Sequence, residues 1–249
     1  MDRTREANSL ISARELSEGG TMLASYPNEF HFALTNICNL KCMFCNFNGP
    51  PMKSAGRQVH LGLESLTSVA RFMDSATYVN ISGRGEPLLY PHVIELLGFA
   101  RTNGFLDKIH IITNGVFLRR FDMKQLNGIA QLAVSFDGGV QKTFEFLRNG
   151  ASWNVTLDGI KTLRRTLPDL NMGFNVTVNR LNIDELSQIA GLARSLGLNF
   201  VNLNAVGGYV NPLVDILRLR KSDSGVFNSQ MSLIREQGSG NPAIHGMVA

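Results

Sequence analysis

Cys38, Cys42 and Cys45 are the only cysteines of this 249-residue chain, and they stand within eight residues in the stretch CNLKCMFC. Cysteine thiolates are the usual protein ligands of iron–sulfur clusters. At a spacing of Cys-x3-Cys-x2-Cys, three of them can bind three irons of a [4Fe–4S] cluster and leave the fourth iron without a protein ligand. The spacing therefore predicts a cluster with one iron available for chemistry.

A structural zinc site is an alternative for the same thiols. Such a site normally has four protein ligands, so His31 or His60 would have to complete a Cys3His set. His31 lies inside a predicted strand, whereas His60 follows a long loop that could fold back. Structural zinc loops usually pair two short knuckles and this sequence has one, which favours the cluster over zinc. Three buried cysteines without a metal are a further alternative.

The composition limits the kind of protein that carries this loop. With 44% hydrophobic and 18% charged residues, the chain suits one large globular domain, or a domain plus a short appendage. The net charge of +4 is spread along the chain, which indicates a solvated surface more than nucleic-acid binding. The N-terminus lacks the apolar core of a signal peptide, and no stretch reaches the roughly 18 apolar residues of a membrane span. We therefore expect a cytoplasmic protein without a membrane partner, in a compartment that keeps thiols reduced.

Strands alternate with helices along the sequence. Helical periodicity is found in five segments that follow strands, namely 63–74, 91–103, 122–128, 154–166 and 183–196. The six strands are predicted at 29–36, 78–82, 108–113, 132–136, 172–178 and 200–205. This order predicts an α/β fold with a parallel sheet and right-handed crossovers. Six strands are too few to close an eight-stranded barrel, so we expect a partial (β/α)6 barrel.

The predicted domain organisation places this barrel at 26–206. Residues 1–25 are expected to form an N-terminal appendage, either an amphipathic segment that packs on the barrel or contacts a partner, or a plain surface helix. Residues 207–249 are expected to form a C-terminal tail with a short helical pattern, as a truncated or shortened extension. Ligands of parallel α/β folds bind at the carboxyl ends of the strands. There the first four strands are followed by CNLKCMFC, GRGEP (83–87), NG (114–115) and DGG (137–139).

The cysteine loop resembles that of the radical S-adenosylmethionine (SAM) enzymes, which have the pattern CxxxCxxC with an aromatic residue, here Phe44, before the last cysteine. The resemblance covers about residues 29–205 and implies a radical SAM partial barrel with a [4Fe–4S] cluster and SAM as cofactors. GRGEP is similar to the GGEP motif of this family, with Arg84 in place of the second glycine. It implies that Glu86 and the backbone at Gly83 and Gly85 receive the methionine ammonium of SAM, which needs hydrogen-bond acceptors. Taken alone, GRGEP is a turn with an exposed Glu.

The resemblance also implies cofactor contacts after the fourth strand. Ser135 would bind the ribose or the carboxylate of SAM, unless it is a buried serine that bonds to backbone. Asp137 is expected to cap its turn. Arg148 would pair with the SAM carboxylate or else be a solvated arginine at a helix end. Phe44 is counted with the cofactor-binding residues.

The fifth and sixth strands supply further candidates. Period two places Asn175, Thr177 and Asn179 on one face, which indicates a lined cavity. The resemblance assigns Asn175 to SAM and leaves the other two as candidate substrate contacts. Backbone around Leu203 and Asn204 would receive the adenine.

The function implied is reductive cleavage of SAM at the cluster, giving a 5′-deoxyadenosyl radical that abstracts hydrogen from a substrate. The region VSFDG to IKTLRR is similar to the SPASM/Twitch branch, which implies a peptide, protein, or small natural-product or sugar-like substrate. Since no cysteine follows Cys45, this chain cannot hold an auxiliary cluster through cysteine. A flavodoxin or ferredoxin is the expected reductant. The alternatives are a non-catalytic scaffold that keeps the cluster and SAM pocket, or a zinc-stabilised α/β binding protein.

Overall fold

The structure is a computed structural model that describes residues 5–19, 21–47, 59–73, 75–207, 213–238 and 242–246. All strands of the described residues lie in one parallel sheet, ordered as they follow each other in the sequence. The seven strands are β1 Glu29–Phe32, β2 Tyr78–Ile81, β3 Ile109–Thr113, β4 Gln131–Ser135, β5 Met172–Val178, β6 Phe200–Ala205 and β7 Ala243–Gly246. The predicted α/β fold with parallel strands is confirmed.

All six predicted strands are found, and a seventh strand was not predicted: β7 pairs in parallel with β6, and Ala243 stands opposite Phe200. The sequence AIHG is short, and its residues are exposed or half-buried. An edge strand of this kind has no alternation of buried and exposed residues long enough to be recognised in a Gly, Ser and Pro-containing tail.

Eight α-helices are found in the described residues. Their bounds are α1 Arg5–Glu18, α2 Leu63–Val69, α3 Val93–Thr102, α4 Gln141–Leu147, α5 Trp153–Thr166, α6 Leu186–Ser195, α7 Leu213–Leu217 and α8 Ser224–Glu236. The helix predicted at 122–128 is a short 3-10 helix, Met123–Leu126. The two-turn helix α4 was not predicted, because only Phe144 and Leu147 mark its buried side.

The longer crossover helices bury regular apolar stripes. In α3 the buried residues Val93, Leu96, Leu97 and Ala100 recur at the spacing of one helix face. The same spacing holds in α5 and α6, which cover the crossovers before β5 and β6. Their stripes join the strand side chains in one core, so the sheet and its helices form a single support for the loops at the strand ends.

The two ends of the chain contact the barrel differently. Helix α1 is tied by Asn8, whose side-chain amide donates to Tyr26 O at 3.0 Å and Asn28 Oδ1 at 2.7 Å, while Leu10 and Leu16 are exposed. Helix α8 places Phe227 and Ile234 in the main core and leads into β7. The described tail residues therefore extend the sheet and its core. Among the residues that the structure describes, no helix has the length and apolar character to cross a membrane.

A stack of aromatic rings lies where β4 ends. Phe136 follows Ser135 directly, and its ring centroid lies 4.4 Å from that of Phe144 and 4.5 Å from that of Phe174. The ring of Trp153 packs at 5.1 Å. Phe136, Phe144 and Phe174 have no exposed surface, so the strand end that carries Ser135 rests on a fully buried aromatic stack.

We predict that Phe136→Ala lowers the free energy of unfolding by about 3–5 kcal/mol, because it removes the central ring of this stack. Urea unfolding followed by circular dichroism measures the change. Phe146→Ala is the matched control: its side chain is 55% exposed, and a change within about 0.5 kcal/mol is expected. Equal losses in the two variants would contradict the role given to the stack.

Candidate functional site

A cavity of about 250 Å³ opens at the carboxyl ends of the strands. It is lined by predicted site residues from the loops after β1 and β2 and from the strands β4 and β5, namely Cys38, Cys42, Phe44, Cys45, Gly83, Gly85, Glu86, Ser135 and Asn175. Leu203 is buried in the hydrophobic core and does not line the cavity.

The cysteine loop is held by backbone hydrogen bonds to other loops. Residues 36–47 contain neither helix nor strand. On one side, Lys41 N donates to Asn149 O at 2.8 Å and Met43 N donates to Leu147 O at 3.0 Å, so the loop runs along the end of α4. These bonds place all three thiols at one cavity wall without any regular secondary structure in the loop.

The glycine turn after β2 supports the other side of the loop. Gly83 has a φ of +128°, and a Cβ there would lie 2.9 Å from Ala33 Cβ. A Cβ on Gly85 would overlap the carbonyl oxygens of Thr35 and Ile37, just before the first cysteine. Glu86 N also donates to Ile37 O at 2.9 Å. The two glycines thus allow protein backbone to approach closely, and their contact with SAM stays a prediction.

Glu86 is buried and not exposed as in a plain turn. Its Oε1 accepts from Leu88 N at 3.1 Å and from Thr113 Oγ1 at 2.5 Å, and its Oε2 accepts from Asn114 N at 2.7 Å. Burial raises the pKa of this carboxyl, and the three hydrogen bonds and Arg148 oppose the rise. Since Oε2 accepts only one of these bonds, it keeps capacity for one further donor.

Arg148 and Asp137 form a buried ion pair beside the thiols. Arg148 Nε donates to Asp137 Oδ2, and Asp137 Oδ1 accepts from Thr177 N at 2.6 Å. Arg148 is therefore not a solvated helix-end residue, and Asp137 binds an arginine as well as backbone. The guanidinium also lies 5.3 Å from the centroid of the Phe44 ring.

The remaining candidate residues, on and near β5 and β6, differ in whether they line the cavity. Ser135 stands beside Asn175 in the β4–β5 register, and both line the cavity with Thr177. Asn204 Nδ2 donates to Asn175 Oδ1 at 2.9 Å. Asn179 is fully buried, where it donates to Thr177 O and accepts from Leu181 N, so it stabilises a turn and does not reach the cavity.

The two histidines of the zinc alternative lie away from the thiols. His31 contacts Asn80 Nδ2 at 3.1 Å, and the ring of His60 packs near Tyr90. Neither histidine lines the thiol cavity. In the described ranges, no three His, Cys, Asp or Glu side chains are grouped so that they could hold a single metal ion.

Four contacts of the site were not predicted. Asn114 Nδ2 donates to Asn39 Oδ1 at 2.8 Å and lies 3.9 Å from Cys38 Sγ. Arg148 Nη1 lies 3.8 Å from Cys42 Sγ, and Arg84 lies over the ring of Phe47 at 5.4 Å. The motifs NG and GRGEP marked two of these loops, but which residue of the cysteine loop each side chain would contact depends on the tertiary structure.

The donor set fits an iron–sulfur cluster with an open iron. Three thiols face one cavity, and polar side chains that could bind a molecule at the open iron line the same cavity. Burial raises the pKa of the Cys42 thiol to about 11, an effect that Arg148 opposes, and burial also raises the pKa of Cys38. Metal binding at these thiols would therefore release protons.

Comparison with known proteins agrees with this geometry. Residues 32–193 match the family model of the radical SAM superfamily. The chain belongs to the radical SAM superfamily. The predicted family is thereby confirmed, together with its cofactors, a [4Fe–4S] cluster and SAM, and the curated relatives of this radical SAM chain are enzymes by name.

This chain matches only part of the length of its radical SAM relatives. A probable GTP 3′,8-cyclase of Saccharolobus islandicus (strain Y.N.15.51 / Yellowstone #2) is 26% identical over 183 residues, which are 70% of this chain and 56% of that protein. An AdoMet-dependent heme synthase of Methanosarcina barkeri (strain Fusaro / DSM 804) is 29% identical over 183 residues, 70% of this chain and 49% of that protein. The chain thus spans about half the length of these curated relatives.

A solved structure shows the same fold. Streptococcus suis SuiB bound to S-adenosylmethionine superposes with a TM-score of 0.73 at 16% identity, over 95% of this chain and 53% of that one. At this identity the likeness concerns the fold, and it confirms the radical SAM partial barrel.

We predict that Gly85→Ala reduces the iron content after reconstitution and lowers stability by about 1–3 kcal/mol, because the added Cβ pushes the turn away from the backbone at Ile37. Iron analysis and urea unfolding measure the two effects. Gly98→Ala in α3 is the control, since a Cβ there meets nothing within 4 Å; it should keep its iron and gain about 0.5–1 kcal/mol. Full iron loading of Gly85→Ala would refute the proposed support of the loop.

Glu86→Ala is expected to lower stability by at least about 1–3 kcal/mol, because it leaves buried donors without an acceptor. Glu86→Gln keeps an acceptor oxygen and should lose less. If the carboxylate also binds the ammonium of SAM, both variants should weaken SAM binding about tenfold, the effect of roughly 1.4 kcal/mol. Calorimetric titration with SAM tests this, and unchanged affinity in Glu86→Gln would leave Glu86 a structural residue only.

Proposed function

We propose that this chain is the barrel of an enzyme that reductively cleaves SAM and abstracts hydrogen from an organic substrate. When bound, the cluster would supply the electron that splits the sulfonium bond of SAM into methionine and a 5′-deoxyadenosyl radical. The observation that carries the proposal is that all three thiols of CxxxCxxC line one cavity together with Ser135 and Asn175.

Different residues of this cavity would bind the cluster and SAM. Cys38, Cys42 and Cys45 would hold the cluster, and Glu86 Oε2 with nearby backbone oxygens would receive the ammonium of SAM. Ser135 and Asn175 offer a hydroxyl and an amide side by side for the polar groups of SAM. The apolar walls, among them Leu40 and Ile112, would exclude water from the reactive intermediate.

The placement of Leu203 limits the adenine assignment. Its side chain is buried, so the adenine could be received only by backbone of β6, near Asn204, whose amide already binds Asn175. We keep backbone at Leu203 and Asn204 as the proposed adenine contact. Asn179 is withdrawn as a substrate contact, and Thr177 is retained because it lines the cavity.

For the substrate we propose a peptide, a protein or a small natural-product or sugar-like molecule with an unactivated C–H bond. Curated relatives are named for GTP 3′,8-cyclisation and heme synthesis, and SuiB has been solved with its precursor peptide. A flavodoxin or ferredoxin is the proposed reductant, and the cytoplasm is the proposed location, because cysteine thiols stay reduced there.

The deciding experiment is anaerobic reconstitution with iron and sulfide, followed by SAM and a strong reductant. Four irons per chain and accumulating 5′-deoxyadenosine are expected. Four irons without 5′-deoxyadenosine would instead support a non-catalytic scaffold. Zinc without iron would refute the proposal and restore the zinc-stabilised binding protein.

Cys42→Ala should remove both the cluster and 5′-deoxyadenosine formation, because two remaining thiolates cannot hold a four-iron cluster. Iron analysis, the visible absorption of the cluster and chromatography of SAM products measure the loss. Ser195 is exposed in α6, and its hydroxyl donates to Leu192 O at 2.8 Å, so Ser195→Ala is the control and should keep full iron and turnover. A Cys42→Ala protein with wild-type iron and activity would contradict the assignment.

A further inference from the structure

Arg148 places a guanidinium against one of the cluster-binding thiols. Its Nη1 lies 3.8 Å from Cys42 Sγ, and its guanidinium lies 5.3 Å from the centroid of Phe44, inside the same loop. The side chain is buried, and it lines the thiol cavity. A full positive charge therefore lies against the ligand loop with little water around it.

Asp137 determines where this charge points. It accepts from Arg148 Nε, and it is itself fixed by Thr177 N at 2.6 Å from the neighbouring strand. With Nε donating to Asp137, the terminal nitrogen Nη1 lies towards the cysteine loop, 3.8 Å from Cys42 Sγ. Within this ion pair, Arg148 is the member that contacts the Cys42 thiol, and Asp137 contacts Arg148.

The charges beside a cysteine ligand influence how easily an iron–sulfur cluster accepts an electron. Hydrogen bonds to the sulfurs and nearby positive charge stabilise the reduced cluster, which carries one more negative charge than the oxidised cluster. The effect is strong where the dielectric constant is low, as around the buried Arg148. A carboxylate behind the arginine acts in the opposite direction.

We propose that Arg148, oriented by Asp137, is a positioning residue that raises the one-electron reduction potential of the cluster by holding its charge against Cys42. This inference rests on the proposed function, because it requires a bound cluster. It differs from an ion pair between Arg148 and the SAM carboxylate, since it holds in the absence of SAM.

The test is a redox titration of reconstituted, SAM-free protein, followed by electron paramagnetic resonance of the reduced cluster. Arg148→Gln removes the positive charge and leaves Asp137, so the midpoint potential should fall by about 59 mV or more, a tenfold change for a one-electron couple. Asp137→Asn removes the opposing charge and keeps an acceptor for the arginine, so the potential should rise. The double variant Asp137→Asn/Arg148→Gln should lie between the two.

Arg119→Gln is the matched control, because Arg119 is an exposed arginine paired with Asp158 and should leave the potential unchanged. Opposite shifts in the two single variants support the proposal, since a purely structural disturbance has no reason to change sign with the charge. The proposal would be overturned if both single variants had the midpoint potential of the wild-type protein, or if their potentials shifted in the same direction. If Arg148→Gln does not fold, Asp137→Asn and the double variant decide, because neither leaves a buried carboxylate unpaired.

The iron content of each protein separates this inference from the proposed function. Wild-type protein that binds no cluster would refute both. Wild-type protein with four irons and 5′-deoxyadenosine formation, but with variants whose potentials match the control, would refute only the role of Arg148. A variant with an unchanged potential but weakened SAM binding would assign Arg148 to the SAM carboxylate instead.

Discussion

The position of the cysteine loop depends on contacts with backbone from other parts of the barrel. The loop has no helix or strand of its own between residues 36 and 47, so its hydrogen bonds must be made elsewhere. Leu147 and Asn149 accept from it on one side, and the turn at Gly85 packs against Ile37 on the other. The thiols converge because two loops, after β2 and after α4, hold the intervening chain between them.

Buried charge is the second feature that organises the site. A carboxylate or guanidinium removed from water is stable only with partners, and breaking a buried pair costs about 3–5 kcal/mol. Asp137 and Arg148 satisfy each other, and Glu86 is satisfied by three donors from the ends of β2 and β3. These groups therefore bind the strand ends together as well as lining the cavity, so a substitution among them changes structure and ligand binding at once.

The order of strands and helices could be predicted from periodicity, since the crossover helices α3, α5 and α6 have clear apolar stripes and five strands are rich in buried residues. Elements with weak patterns were missed. Helix α4 has two buried residues, and β7 is an exposed four-residue edge that becomes a strand only through its hydrogen bonds to β6. The ends of the elements differ by a few residues, because tertiary contacts decide where a helix or strand stops.

The sequence by itself determined the cluster-binding chemistry, because three thiols at a fixed spacing in one loop carry that information without reference to the rest of the chain. It also placed Ser135 and Asn175 on the cavity side, since strand alternation is local. Only the tertiary structure decided that Arg148 meets Cys42 and that Asp137 is its partner, that Leu203 is turned into the core, and that Glu86 is buried. Those outcomes depend on residues that are distant in the chain and become neighbours through the packing of the strand-end loops.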